Sequence, residues 1–232
     1  MPLLSQRFSD RREAGRQLAR KLMGLRDKPG VVVLALPRGG VPVAAEIAAA
    51  LGVPLDVFVV RKLGVPGHPE LAMGAVASGG VRVINTHVLS EYMIPRSALE
   101  MVTAKERDEV GRREAEYRGR KPFPDLRGAT VVVVDDGIAT GATMIAAVRA
   151  IRELRATRIV VAAPVIAAST QSQLLTEADE VVSVAVPEHF LAVGVWYDDF
   201  QQTTDAEVIR LLDTTPAAGK EATLRGAPYL RA

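Results

Sequence analysis

The chain has 232 residues, 48% of them apolar, with 29 lysines and arginines against 27 aspartates and glutamates. At this length folding buries roughly 70% of the unfolded surface, so the core needs no disulfides or metal ions to be stable. The absence of cysteine excludes disulfides, thiolate nucleophiles and cysteine-ligated metals. A net charge of +2 disfavours nucleic-acid or membrane partners. The polar N-terminus and the lack of a long apolar run predict a soluble, cytoplasmic protein.

The first predicted element is a helix within Leu3–Arg26. Asp10 followed three residues later by Glu13 fits a capping box, and Phe8 is placed to act as a hydrophobic staple. Apolar side chains then recur at three- and four-residue spacing, which gives one buried face. The basic side chains between residues 7 and 28 predict a solvated helix face, with an anion-facing surface as the alternative.

Five short β-rich stretches then alternate with helices. Most are valine-rich runs, as expected for strands that helices cover on both faces. The strands are predicted at Val31–Leu36, Leu55–Val60, Thr130–Val134, Arg158–Ala163 and Glu180–Val186. The helices are predicted at about Val41–Leu51, Gly141–Leu154 and Ser169–Ala178. This alternation predicts an α/β fold with a doubly wound, mostly parallel sheet. Ligands of such sheets bind at the carboxyl ends of the strands.

Two segments interrupt the alternation. Residues 62–88 form a glycine-rich excursion with two weak strands, at Met73–Ala77 and Val81–Asn85. Residues 95–120 predict a highly charged helix that faces solvent or a partner. The segment 214–232 is predicted to be a disordered tail. We therefore expect one domain over residues 1–213, with an excursion and a helix inserted into it.

The segment with the strongest functional signal is Val131–Met144, VVVVDDGIATGATM. A buried strand ends at Asp135 and Asp136, and a loop of small residues with two threonines leads into a helix. The unpaired N–H groups of that helix's first turn suit a phosphate monoester. The two carboxylates would repel phosphate but accept hydrogen bonds from sugar hydroxyls. The segment therefore predicts a site for a sugar phosphate, and it matches neither the P-loop nor the dinucleotide motif.

This segment resembles the binding motif for 5-phosphoribosyl-1-pyrophosphate (PRPP) in the type I phosphoribosyltransferases, and the order of elements over about Val31–Phe200 is similar to theirs. The resemblance implies that Asp135 and Asp136 are catalytic and hold the ribose hydroxyls. It also implies a 5-phosphate loop made of Ala139, Thr140, Gly141, Ala142 and Thr143. PRPP, a small-molecule acceptor and Mg²⁺ are then the expected ligands, with Asp135, Asp136 and Asp198 as metal ligands. A homodimer is also expected.

The loop after the first strand, Leu36–Gly40, looks like the pyrophosphate-binding loop of that family. The resemblance implies that Arg38, Gly39 and Gly40 hold pyrophosphate, together with Arg61 and Lys62, and Lys62 is a further catalytic candidate. The alternative is that Arg61 and Lys62 are solvated charges at the end of a strand. By position, the excursion at 62–88 corresponds to the flexible lid of the family, with His68 and Glu70 as candidate contacts.

The segment Pro187–Phe200, PEHFLAVGVWYDDF, resembles the small C-terminal hood that covers the acceptor base. The resemblance implies that Val195, Trp196 and Tyr197 line the acceptor, with a core tryptophan as the alternative. Ala139 occupies the position where the 6-oxopurine enzymes carry an acid, which weakens a hypoxanthine–guanine assignment. The predicted function is transfer of a phosphoribosyl group from PRPP to a nitrogenous base or related acceptor. A non-catalytic PRPP-binding regulator and a phosphosugar hydrolase are the alternatives.

Overall fold

The computed structural model describes residues 7–214. Beyond Thr214, the tail predicted at 214–232 lies outside the described residues. The strands are β1 (Val31–Ala35), β2 (Leu55–Val57), β3 (Val60–Val65), β4 (His68–Ala77), β5 (Arg82–Ile84), β6 (Thr130–Val134), β7 (Arg158–Val165) and β8 (Glu180–Ala185). The α-helices are α1 (Arg11–Leu22), α2 (Gly40–Leu51), α3 (Thr86–Glu91), α4 (Arg96–Arg118), α5 (Ala142–Glu153), α6 (Ala168–Glu177) and α7 (Asp205–Thr214).

The central sheet has five parallel strands in the order β2-β1-β6-β7-β8. Its strands are valine-rich because both faces are buried. Val33, Val132 and Val160 face one apolar core, which also contains side chains of α1 and α2. The alternate residues face a second core with α5 and α6, and they include Val32, Val131 and Val161. The expected doubly wound, mostly parallel α/β fold is confirmed.

The excursion folds as a second, antiparallel sheet in the order β3-β4-β5. The strand expected at Leu55–Val60 is therefore wrong in its second half, because the chain leaves the central sheet after Val57. The N–H of Val59 donates to the Ser78 hydroxyl at 2.9 Å, and the N–H of Ser78 donates to the Val59 carbonyl at 2.9 Å. These two bonds turn the chain toward β4, so Arg61 and Lys62 lie within β3 and not at the end of a central strand.

The N-terminal segment is held by a cap of α1 and by contacts with Tyr197. The side chain of Asp10 accepts from the N–H of Glu13 at 2.7 Å, which caps α1 as predicted. The ring of Phe8 packs against that of Tyr197 at 5.4 Å between centroids, and a parallel β-bridge joins the same two residues. None of the helices between residues 7 and 214 is long and apolar enough to cross a membrane.

Candidate functional site

The chain order of the strands reverses between β1 and β6, and the loops that follow these two strands meet there. In doubly wound sheets this switch point is the usual ligand site. The N–H of Leu36 donates to the carbonyl of Val134 at 2.8 Å, which joins the two strand ends. The loop continues through a cis peptide bond between Pro37 and Arg38 into helix α2. The structure thus brings the two predicted binding loops together.

Gly39 is the point of closest approach between these loops. A Cβ atom at this position would lie 2.1 Å from Oδ2 of Asp136 and 2.7 Å from its Cγ. Both separations are far below van der Waals contact, so only glycine lets the loop lie directly against the carboxylate. Ligand groups that bind the two loops would therefore lie close together.

The carboxyl groups of Asp135 and Asp136 form an electrostatically strained pair. Burial raises the pKa of Asp135 well above its ordinary value, and the neighbouring charge of Asp136 raises it further. Burial also raises the pKa of Asp136, although the Arg11 guanidinium acts in the opposite direction. The site therefore favours ligands that donate hydrogen bonds or bring positive charge to these oxygens.

Arg11 is a site residue that the sequence did not reveal. Its Nε donates to Oδ2 of Asp136 at 2.7 Å, and the two side chains are only 11% and 14% exposed. Its guanidinium also lies 3.9 Å from the ring centroid of Phe200. In the sequence Arg11 was one of several basic residues on a helix expected to face solvent. No local signal distinguished it, because its partner lies on a loop 125 residues away.

The loop from Ala139 to Thr143 has the form of an anion cradle. Within residues 7–214, the N–H groups from Ala139 to Met144 have no hydrogen-bond acceptor. In the same range, the hydroxyls of Thr140 and Thr143 have no partner. The loop is largely exposed and opens the 12-residue helix α5, whose N-terminal dipole favours negative charge. A phosphate group would satisfy these donors.

The shape of this cradle depends on Gly141 and on Thr170 of α6. Gly141 has a φ of +74°, in the left-handed region that favours glycine, and a Cβ there would meet the Thr170 methyl carbon at 2.6 Å. The Thr170 hydroxyl donates to the carbonyl of Ala139. Thr170 therefore helps to fix the conformation of the loop. It was not found from the sequence because α6 is distant along the chain.

The predicted pyrophosphate-binding side chains lie in different surroundings. Arg38 follows β1 directly and pairs with Asp205 at 3.3 Å. Arg61 pairs with Glu106 of α4 at 2.8 Å, and Lys62 reaches Glu70 across the β3–β4 hairpin at 3.3 Å. Arg38 therefore belongs to the loop beside Asp136, whereas Arg61 and Lys62 lie on the second sheet with carboxylate partners. Contact between these last two and a leaving group stays a prediction, as does the flexibility of the lid.

The predicted hood residues are divided between core and surface. Trp196 and Tyr197 are 5% and 1% exposed and pack in a cluster with Phe8, Ala14 and Val165. The Tyr197 hydroxyl donates to the backbone carbonyl of Asp136 at 2.5 Å, and burial raises its pKa well above the ordinary value, which keeps the proton in place. Val195 is exposed. An acceptor would thus meet Val195 more readily than the two buried rings.

The acidic residues near the switch point match part of the expected metal-ligand set. Within residues 7–214, no three histidine, aspartate or glutamate side chains lie together as a metal-binding cluster. Asp198 pairs with Arg7 at 3.2 Å and is not part of such a cluster with Asp135 and Asp136. Two carboxylates still fit Mg²⁺, which is usually bound by one or two carboxylates together with substrate phosphates.

The raised pKa of Asp135 predicts that replacing this carboxyl group stabilises the folded protein more at high pH than at low pH. The raised pKa of Asp135 means that the folded protein keeps a proton that the unfolded chain loses above about pH 4. The contribution of the protonated Asp135 carboxyl to the free energy of unfolding is therefore lost as pH rises through the pKa of the folded state. Asparagine has no such proton to lose, so Asp135→Asn removes this pH-dependent loss. We expect Asp135→Asn to raise Tm by a few degrees more at pH 8 than at pH 4, measured by calorimetry. Asp108→Asn, at an exposed position, is the control; equal changes for both variants would contradict the expectation.

The described residues thus form a parallel α/β sheet whose switch point carries a loop of N–H groups without acceptors beside a largely buried carboxylate pair. The family model for the phosphoribosyl transferase domain matches residues 10–200. The chain therefore belongs to the phosphoribosyl transferase domain family, and the expected membership of that family is confirmed.

Individual relatives agree with this assignment. Proteins from two strains of Mycobacterium tuberculosis, CDC 1551 and H37Rv, each named "Putative phosphoribosyl transferase", are 49% identical over 207 residues, which is 89% of this chain and 46% of theirs. The chain thus spans about half the length of the curated relatives it matches. The crystal structure of TT1426 from Thermus thermophilus is 45% identical, with a TM-score of 0.80, and the match covers 89% of this chain and 97% of that one.

Proposed function

We propose that this chain binds PRPP with Mg²⁺ and transfers its 5-phosphoribosyl group to a nitrogenous base or related acceptor. The observation that carries the proposal is the juxtaposition, at one switch point, of three features. These are the cradle of unpaired N–H groups at Ala139–Met144, the carboxylate pair, and the loop with Arg38. In the proposal these features would hold, in this order, the 5-phosphate, the ribose hydroxyls and the pyrophosphate of one PRPP molecule.

The reaction is a displacement at the anomeric carbon. The acceptor nitrogen forms the new bond to C1 with its lone pair, while the C1–O bond breaks and its electrons leave with pyrophosphate. A proton of the acceptor is released to solvent or to the leaving group. No protein nucleophile is needed, in keeping with a chain without cysteine. Asp135 and Asp136 would hold Mg²⁺ together with the phosphates, and the bound ion would supply positive charge to the leaving group.

The residues of the chain position the substrate and stabilise charge. The Ala139–Thr143 loop would anchor the 5-phosphate, which is remote from the reacting carbon and so provides binding energy for positioning. Asp135 and Asp136 would accept hydrogen bonds from the ribose hydroxyls and stabilise positive charge that develops on the sugar ring. Arg11 would hold Asp136 in this orientation. The Arg38 guanidinium would donate to the departing pyrophosphate.

The test is pyrophosphate release from PRPP and Mg²⁺ with a panel of purine, pyrimidine and related acceptors. Acceptor-dependent release, with equal amounts of product nucleotide, is the expected result. Binding of PRPP without release for any acceptor would contradict catalysis and support the regulatory alternative. Release that requires water alone and yields free ribose 5-phosphate would support the hydrolase alternative.

Thr143→Ala is expected to weaken PRPP binding about fivefold or more. A hydrogen bond from a hydroxyl to a charged phosphate contributes about 1 kcal/mol or more, and the Thr143 hydroxyl has no partner within residues 7–214 that would compensate for its loss. Isothermal titration calorimetry with PRPP measures the effect. Thr176→Ala, which removes a hydroxyl at an exposed position of α6, is the control. An unchanged dissociation constant in Thr143→Ala would contradict the assignment of the loop.

A further inference from the structure

We propose that Asp205 and Tyr117 are positioning residues that orient the Arg38 guanidinium toward a pyrophosphate group. The inference rests on the proposed function, because it assigns a role within the proposed pyrophosphate subsite. Both residues lie outside the strand-end loops, on helices α7 and α4, where the sequence predicted no part of the site.

One carboxylate connects three separate parts of the fold. Nη1 of Arg38 donates to Oδ2 of Asp205 at 3.3 Å, and the hydroxyl of Tyr117 donates to Oδ1 of Asp205 at 2.6 Å. Since the two donors use different oxygens, both bonds exist at once. The loop after β1 is thereby linked to the last turns of α4 and to the first residue of α7.

The carboxylate itself is held in place by its surroundings. Tyr117 is 5% exposed and packs in the apolar core that contains side chains of α1 and α2, so its hydroxyl has a defined position. Burial and the charge of Asp205 raise the pKa of Tyr117 to about 12, so the hydroxyl remains a donor at neutral pH. Asp205 lies in the first turn of α7, where the helix dipole favours a negative charge. Asp205 is thus an anionic anchor with little freedom to move.

This anchor leaves most of the Arg38 side chain available. Within residues 7–214, Nη1 makes the only hydrogen bond of this guanidinium, and the remaining N–H groups have no acceptor. The Arg38 side chain is 34% exposed, and an arginine without an anchor would sample several rotamers. Holding one nitrogen therefore pre-orients the other donors of the planar fork, which reduces the entropy lost when a phosphate binds. The effect of one immobilised side chain corresponds to roughly a three- to tenfold change in affinity.

The experiment uses inorganic pyrophosphate and ribose 5-phosphate as separate probes of the two ends of the PRPP site, each titrated with Mg²⁺. Asp205→Asn is expected to weaken pyrophosphate binding about three- to tenfold and to leave ribose 5-phosphate binding unchanged. Tyr117→Phe, which removes only the hydroxyl, is expected to weaken pyrophosphate binding by less, and Asp205→Glu to recover part of the affinity. Asp213→Asn, on the same helix as Asp205, is the matched control, because it breaks a surface pair with Lys121 at 2.8 Å.

The two ligands separate failure of this inference from failure of the proposed function. Unchanged or tighter pyrophosphate binding in both Asp205→Asn and Tyr117→Phe would overturn the positioning role, while normal ribose 5-phosphate binding would leave the proposed function intact. Equal weakening of both ligands would assign Asp205 a merely structural role and also overturn the inference. A wild-type protein that binds neither ligand would overturn the proposed function together with the inference. Tyr117→Phe provides an independent variant if Asp205→Asn does not fold.

Discussion

Simultaneous replacement of Asp135 and Asp136 by alanine is expected to abolish PRPP binding. The two side chains are the carboxylates at the carboxyl end of β6. In the proposed function they accept hydrogen bonds from the ribose hydroxyls, so their removal would leave these hydroxyls without charged acceptors. Calorimetric titration of PRPP with Mg²⁺ should show no measurable heat of binding at concentrations that saturate the wild type. The paired control is Asp108→Ala with Asp125→Ala, at two exposed positions, which should bind PRPP normally.

The double alanine variant also removes the partner of a largely buried arginine, so a second variant is needed to separate binding from folding. Asp136→Ala removes the acceptor of the Arg11 Nε, and the Arg11 side chain is only 11% exposed. A buried charge without its partner destabilises the fold. Asp135→Asn with Asp136→Asn keeps the shape of both side chains and an oxygen acceptor for Arg11, so it tests charge with less effect on folding. Wild-type PRPP affinity in this folded variant would contradict the assignment of the carboxylate pair.

Gly39→Ala is expected to disrupt both halves of the site. The new Cβ would lie 2.1 Å from Oδ2 of Asp136, and the carboxylate cannot simply move aside because Arg11 holds the same oxygen at 2.7 Å. Overpacking of this kind costs about 1–3 kcal/mol of stability. We expect a lower Tm together with about tenfold or greater weakening of PRPP binding, since both binding loops would shift. Denaturation and calorimetric titration measure the two effects.

A second substitution, Asp136→Ala, tests the cause of the destabilisation by Gly39→Ala. If the clash is with Asp136, the loss of stability from Gly39→Ala should become smaller in an Asp136→Ala chain, because the clashing oxygen is gone. Gly111→Ala is the control, since a Cβ at that helical position meets nothing within 4 Å, and alanine is the better helix former. The same cost of Gly39→Ala in both backgrounds would show that the contact with Asp136 is not its source.

The local parts of the fold and site could be predicted from the sequence. The Val131–Met144 segment predicted a strand, a carboxylate pair and a helix N-terminus, and the structure has β6 at Thr130–Val134 and α5 from Ala142. Such predictions succeed because hydrophobic period, small residues and strand-end charges act over a few residues. The sequence failed at Leu55–Val60, where valine-rich character continued but the chain left the sheet. Hydrogen bonds to Ser78, a residue of a later turn, decided that point.

By itself the sequence determined the order of the central-sheet strands and of helices α2, α5 and α6, the burial of the valine-rich sheet on both faces and the position of the small-residue loop that leads into α5. Only the tertiary structure decided which distant side chains complete the site. Arg11 reaches Asp136 from the N-terminal helix, and Asp205 reaches Arg38 from α7. It also decided that Trp196 lies in a core cluster. The physical reason is that these contacts depend on how whole elements pack, and no periodicity or spacing along the chain encodes the direction from one element to another.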